Sequence, residues 1–102
     1  SCSPPQAARL ADELVDSRLA ACVSILPKVQ SVYRWQGAIH HDDEVLLLIK
    51  TPAQHTEAMT ALLETLHPYE TPEIVTLTAD RVSESYLHWA LSVTGESQQS
   101  NS

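Results

Sequence analysis

Apolar residues recur at helical spacing in three stretches of the chain, and each stretch predicts an amphipathic helix. The first opens with Ser3-Pro4-Pro5-Gln6, which places a capping serine before proline and glutamine three residues after the cap. Thr51-Pro52-Ala53-Gln54 repeats this capping pattern ahead of the second helix, and the third is expected to begin near Ser83. The apolar positions, helix by helix, are Ala7, Leu10, Ala11, Leu14 and Val15; Ala58, Met59, Leu62, Leu63 and Leu66; and Val82, Tyr86, Trp89, Ala90 and Val93.

Between the first two helices the pattern changes to that of extended strands. Residues 21–26 and 29–36 are predicted to be extended with a bend or edge position at Pro27, and the chain returns as a hairpin over residues 38–51 after Gly37. Alternation places Ser31, Tyr33 and Trp35 on one face of this hairpin. A further short strand is predicted over residues 73–78.

The run Val45-Leu-Leu-Leu-Ile49 is apolar without alternation, which is typical of a strand covered on both faces. One face would receive the helices. A lone two-layer domain of this size has nothing left to cover the other, so we expect that face to be buried against another subunit. Long strands with exposed aromatic side chains are also an aggregation hazard unless a partner pairs with them.

Composition restricts the class of protein. The chain has 102 residues, of which 43% are apolar, and this suits one domain over residues 1–94 followed by a disordered tail over residues 95–102. The formal charge of -7 disfavours nucleic-acid binding. The longest apolar stretch is far shorter than the roughly 20 residues that span a bilayer, so no membrane association is expected. Two cysteines, Cys2 and Cys22, fit a reducing compartment, for which the cytoplasm is the default.

The sequence offers little that supports catalysis. It contains no arrangement typical of a carboxylate pair or a Ser-His-Asp triad, and its two glycines are too few for a backbone phosphate cradle. We therefore expect a protein that is not an enzyme.

Four segments in fixed order resemble the CutA divalent-cation-tolerance family across nearly the whole chain. They are Arg18-Leu-Ala-Ala-Cys-Val23, Ser31-Val-Tyr-Arg-Trp-Gln-Gly37, Glu44-Val-Leu-Leu-Leu-Ile-Lys-Thr51 and His67-Pro-Tyr-Glu-Thr-Pro72. The resemblance implies an α+β fold, a ferredoxin-like βαββαβ sandwich with an added C-terminal helix, whose first strand would lie upstream of residue 1. It also implies a homotrimer in which the hairpins of neighbouring subunits continue each other's sheets.

The same resemblance implies two copper ligands, Cys2 and His67. Thiolate and imidazole suit copper or zinc, but two protein ligands do not complete a tight site, and Leu66 stands where some relatives have a second histidine. Weak binding of copper or another divalent cation is therefore expected, with no cofactor required for folding. The alternative for His67 is an imidazole that bonds the last carbonyls of the preceding helix.

A second candidate metal cluster is His40 and His41, which precede Asp42 and Asp43. Adjacent strand residues point to opposite faces, so the two imidazoles would reach one ion only at a bulge or turn. Adventitious metal binding is the expectation for this pair.

A different class of function is a small-ligand sensor, because CutA proteins resemble the PII signalling proteins in architecture. The trimer would bring together, in a cleft between subunits, Tyr33, Trp35, Lys50, Tyr69, Glu70 and Glu73. Lys50 would then fix an anion, and a glutamate would bond an amine or metal. The alternative is a salt bridge between subunits, from Lys50 to one of these glutamates. A regulatory or scaffold role is a further alternative.

Overall fold

The computed structural model describes residues 3–66 and 73–95, and it confirms an α+β fold. Helix α1 covers Pro4–Asp16 and is followed by strands β1, Cys22–Trp35, and β2, Ala38–Lys50. A short 3₁₀ turn at Ala53–His55 leads into helix α2, Thr56–Leu66, and helix α3 covers Glu84–Ser92.

Helix α1 begins where the sequence predicts. The Ser3 hydroxyl accepts a hydrogen bond from the Gln6 backbone N–H at 3.3 Å, and the Ser3 N–H donates to the Gln6 side chain at 2.9 Å. This reciprocal capping satisfies two of the donors that a helix start leaves free. The helix then buries Ala7, Ala11 and Leu14.

The two strands form an antiparallel hairpin that runs from Cys22 opposite Lys50 to Trp35 opposite Ala38. Gln36 and Gly37 make the turn with φ of 51° and 81°. Positive φ at both central residues is the geometry whose twist matches that of paired strands, and glycine takes it without steric cost. The predicted hairpin is confirmed.

A bulge at Pro27 and Lys28 sets which side chains share a face. Leu26 pairs with Leu46 and Val29 with Glu44, so β1 carries one residue more than β2 across this step. The extra residue keeps the side chains before and after it on one face. We call this the open face; its members are Cys22, Ser24, Leu26, Val29, Ser31, Tyr33 and Trp35 of β1 and Ala38, His40, Asp42, Glu44, Leu46, Leu48 and Lys50 of β2.

The core lies on the opposite side of the hairpin, which α1 and α2 cover. Its buried members are Leu14, Ala20, Met59 and Leu63, and Val23 and Ile49 of the sheet pack against them. On the open face Leu46 and Leu48 are 44% and 47% exposed. The described residues therefore bury one face of the apolar run in β2 and leave the other uncovered.

The capping role predicted for Thr51 is wrong. Its hydroxyl donates to the Leu19 carbonyl at 2.7 Å, which ties the end of β2 to the chain that enters β1. Pro52 instead precedes the 3₁₀ turn, and α2 begins only at Thr56.

The strand predicted over residues 73–78 is also absent. The sheet within the described ranges contains β1 and β2 alone, so this segment has no strand beside it with which to form a hydrogen-bonded ladder. Ile74 still packs against the core, whereas Val75 and Leu77 are 70% and 86% exposed. The full ferredoxin-like strand order stays a prediction.

Arg18 holds the end of α3 against the turn between α1 and β1. Its guanidinium donates to the carbonyls of Gly95 at 2.8 Å and Ser92 at 3.0 Å, while the Gly95 N–H donates to the Arg18 carbonyl at 2.8 Å. Arg18 itself has a φ of 66°, a conformation that a side chain disfavours. Residues 96–102 of the predicted tail lie outside the described residues.

We expect Arg18→Ala to lower the free energy of unfolding by about 1–2 kcal/mol, because two charge-assisted hydrogen bonds are lost, a part-buried one to Gly95 and an exposed one to Ser92. Alanine has a similar backbone penalty at positive φ, so the difference in unfolding free energy measures the contribution of the Arg18 side chain. Urea unfolding at fixed protein concentration measures it. The matched control is Arg9→Ala on the exposed face of α1, and equal stability of both variants would contradict the role of Arg18.

Candidate functional site

The ligands predicted for the metal, Cys2 and His67, both lie outside the described residues. Their pairing at one site stays a prediction. Across residues 3–66 and 73–95, the structure brings together no three side chains of His, Cys, Asp or Glu in a group able to hold a metal ion.

The two adjacent histidines of β2 lie on opposite faces of the hairpin. His40 is on the open face, where its ring stacks on Tyr33 with centroids 5.5 Å apart and its Nε2 lies 3.2 Å from the Trp35 carbonyl oxygen. His41 pairs with Val32 on the other face. One ion therefore cannot take both imidazoles from the same hairpin.

Two carboxylates of β2, Asp42 and Glu44, accept hydrogen bonds from hydroxyls on the opposite strand. Tyr33 donates to Asp42, and Ser31 donates to Glu44 at 2.7 Å. The pKa of Tyr33 is raised, and the hydrogen bond from its hydroxyl to Asp42 is the main cause. Both carboxylates thus have a partner within the hairpin, and sequence reasoning singled out neither Ser31 nor Glu44 as a site residue.

A different polar cluster lies at the other end of the open face. Lys50 Nζ donates to the Ser24 hydroxyl and lies 3.9 Å from Cys22 Sγ, and Tyr86 of α3 lies near Cys22. Burial, followed by the nearby Cys22, raises the pKa of Tyr86. The sequence had marked Lys50 alone, although the alignment of the strands also brings Cys22 opposite it.

The residues predicted for a ligand cleft do not meet within one copy of the chain. Tyr33 and Trp35 lie at the tip of the hairpin and Lys50 at its base, roughly 40 Å away along β2 at about 3.4 Å per residue. Glu73 is exposed in the segment before α3, and Tyr69 and Glu70 lie outside the described residues. Only a second copy of the hairpin would bring the two ends together.

None of the helices in the described ranges has the length and apolar content needed to cross a bilayer.

Comparison with known proteins covers most of the chain. The model of the family described as CutA1 divalent ion tolerance protein matches residues 2–93. The solved structure of the divalent cation tolerance protein Cut A1 from Thermus thermophilus has a TM-score of 0.84 and 43% identity, and the match covers 91% of this chain and 90% of that one. For CutA1 from Oryza sativa the TM-score is 0.85 and the identity 37%, over 93% and 87% of the two chains.

Relatives known by sequence agree. The divalent-cation tolerance protein CutA of Pectobacterium atrosepticum is 41% identical over 91 residues, which is 86% of this chain and 83% of the relative. Protein CutA of Mus musculus is 41% identical over 88 residues, 86% of this chain and 50% of the relative. The chain thus spans about half the length of the mammalian relatives it matches. With a family match from residue 2 to residue 93 and an α+β fold shared with solved CutA1 structures, the chain belongs to the CutA1 divalent ion tolerance family.

Proposed function

We propose that this chain is a divalent-cation tolerance protein without enzymatic activity, which acts as a homotrimer and binds copper or another divalent cation weakly. The single observation that supports the proposed trimer is the open face of the hairpin, which the described residues leave uncovered. Family membership carries the tolerance role. The cytoplasm stays our prediction for its location, and plant relatives are named as chloroplastic.

The open face supports assembly because it is long and carries exposed apolar side chains. Leu26 and Leu46 lie opposite each other on it, Leu48 comes next along β2, and the side chain of Trp35 at its far end is 56% exposed. Burial of apolar surface contributes about 25 cal/mol per Å², so covering this face is favourable. Since no other strand of residues 3–66 and 73–95 pairs with the edges of this hairpin, other copies of it can pair there and close the assembly.

The metal role rests on residues that the hairpin does not supply. Asp42 and Glu44 each accept a hydrogen bond from a hydroxyl, and His40 and His41 lie on opposite faces. This favours the thiol of Cys2 and the imidazole of His67 as the ligands, a soft and a borderline donor that suit copper. The name of the family supports the tolerance role over the small-ligand sensor.

We expect Cys2→Ser and His67→Ala each to weaken Cu(I) or Cu(II) binding at least about tenfold, because each removes one of two protein ligands. Titration of the metal-free protein with Cu(I), Cu(II) and Zn(II), followed by calorimetry, measures the affinity. His41→Ala is the matched control, since it removes an imidazole of the hairpin instead. Unchanged affinity in both ligand variants would contradict the assignment of Cys2 and His67 as metal ligands.

We expect Leu48→Lys to shift the protein from three copies towards one, because it places a charge among the exposed leucines of the open face that the copies would bury. Size-exclusion chromatography with light scattering reports the mass. Val15→Lys is the control, an exposed apolar residue of α1 outside the hairpin. If both variants keep the mass of the unmodified protein, the open face is not the contact.

A further inference from the structure

Charges of opposite sign lie at separate places along the open face. Lys50 is at the base of the hairpin, and it is the only lysine or arginine among the open-face residues. Asp42 and Glu44 lie on the same face in the outer half of the hairpin, beyond Leu46 and Leu48. Along β2, Glu44 is six residues and Asp42 eight residues from Lys50, which is roughly 20 and 27 Å at about 3.4 Å per residue. One copy of the chain therefore cannot bring these charges together.

None of these three side chains has a partner of opposite charge among the described residues. The ion pair that these residues contain joins Lys28 to Asp43 at 4.0 Å, and Asp43 lies on the other face of the hairpin. Lys50 Nζ donates instead to the hydroxyl of Ser24, and each of the two carboxylates accepts a hydrogen bond from a hydroxyl of β1. These uncharged groups fix the charged side chains in position and leave their charges unneutralised.

Covering the open face would remove water from these charges. Lys50 and Glu44 are already half-buried within one copy. A charge that loses its hydration and gains no opposite charge is strongly unfavourable, whereas an opposite charge in contact with it offsets much of that cost. Another copy can therefore cover this face well only where it places negative charge beside Lys50 and positive charge beside the carboxylates.

We propose that copies of the chain meet head to tail, so that Lys50 at the base of one hairpin pairs with Asp42 and Glu44 in the outer half of the next. This pairing rests on the proposed trimer and specifies its contact. The leucines between the two charged regions then pack against the neighbouring copy. A contact between two different patches can repeat around a closed ring, because each copy offers its base to one neighbour and its outer half to the other.

The same charges disfavour the other orientation. Contact of base with base would bring one Lys50 against another, and contact of outer half with outer half would bring together four carboxylates. Like charges that face each other across an interface oppose binding and exclude wrong arrangements. The charges therefore select the direction in which the copies meet, while the exposed leucines contribute apolar burial.

The test removes the charge at each end and keeps the local hydrogen bonds of the carboxylates. Asp42→Asn and Glu44→Gln, made together, retain an oxygen that accepts from the hydroxyls of β1, and Lys50→Met removes the positive charge. Either change is expected to raise the protein concentration at which half of the trimer dissociates at least about tenfold. Sedimentation equilibrium measures this in a urea concentration that half dissociates the unmodified trimer at micromolar protein. Asp43→Asn, on the other face of the same strand, is the matched control and should leave this concentration unchanged.

The variant with all three substitutions shows whether the two ends meet. Because they are roughly 20 Å or more apart within one copy, their effects should add unless the charges are in contact between copies. We expect the triple variant to dissociate at no higher a concentration than the weaker of the two partial variants. Circular dichroism without urea shows which variants fold, and Lys50→Gln replaces Lys50→Met if the latter does not.

The outcomes separate this pairing from the trimer itself. If the unmodified protein is a trimer but the effects of the two ends add, or if one end has no effect, the head-to-tail pairing is wrong and the trimer stands. Weakening by Lys50→Met and by Glu73→Gln, with none from the Asp42 and Glu44 substitutions, would assign Lys50 to Glu73 and also overturn the pairing. An unmodified protein with the mass of one chain would overturn both.

Discussion

The antiparallel pairing of Cys22–Trp35 with Ala38–Lys50 decides which side chains of this protein share a surface. Moving one strand by a single residue would send each of its side chains to the other face, so the bulge at Pro27 and Lys28 matters more than its size suggests. Without the extra residue, Leu26 and Trp35 would fall on opposite faces. With it, Leu26, Leu46 and Leu48 share the open face with Tyr33 and Trp35 towards the tip.

This pairing also makes a single copy of the chain less compact than a typical domain of its length. The radius of gyration is 15.6 Å, compared with about 13 Å for a compact domain of roughly this length, because the hairpin extends beyond the helices that cover its base. Helices α1 and α2 bury Val23 and Ile49 near that base. Towards the tip, the part of the chain that the structure describes leaves both faces of the hairpin exposed, and the stabilisation of this end depends on what else covers it.

Local sequence signals predicted the local structure well. The capping box at Ser3, the glycine of the hairpin turn and the bend at Pro27 each depend on a few neighbouring residues, and the structure contains all three. The same kind of signal failed at Thr51, whose hydroxyl bonds the distant carbonyl of Leu19. A capping motif shows what a side chain can bond locally, but a partner brought in by the tertiary fold can replace that bond.

Contacts between distant elements were beyond the reach of the sequence. The strand expected after residue 73 has suitable residues, but a strand needs a neighbour, and neighbours are set by topology. The cluster of Cys22, Lys50 and Tyr86 likewise joins two strand ends to a helix. The segment around Cys22 does not predict these neighbours, because they are close to it in space and remote in the chain. The family resemblance, by contrast, rests on several short segments and was confirmed.

The central claim is that other copies of the chain cover the open face, and the solution mass tests it most directly. Sedimentation equilibrium of the unmodified protein at micromolar concentration should give three times the chain mass of 11.2 kDa. A stable, monodisperse species with the mass of one chain over that concentration range would contradict the account. The apolar side chains of the open face would then be in contact with water and not with another copy.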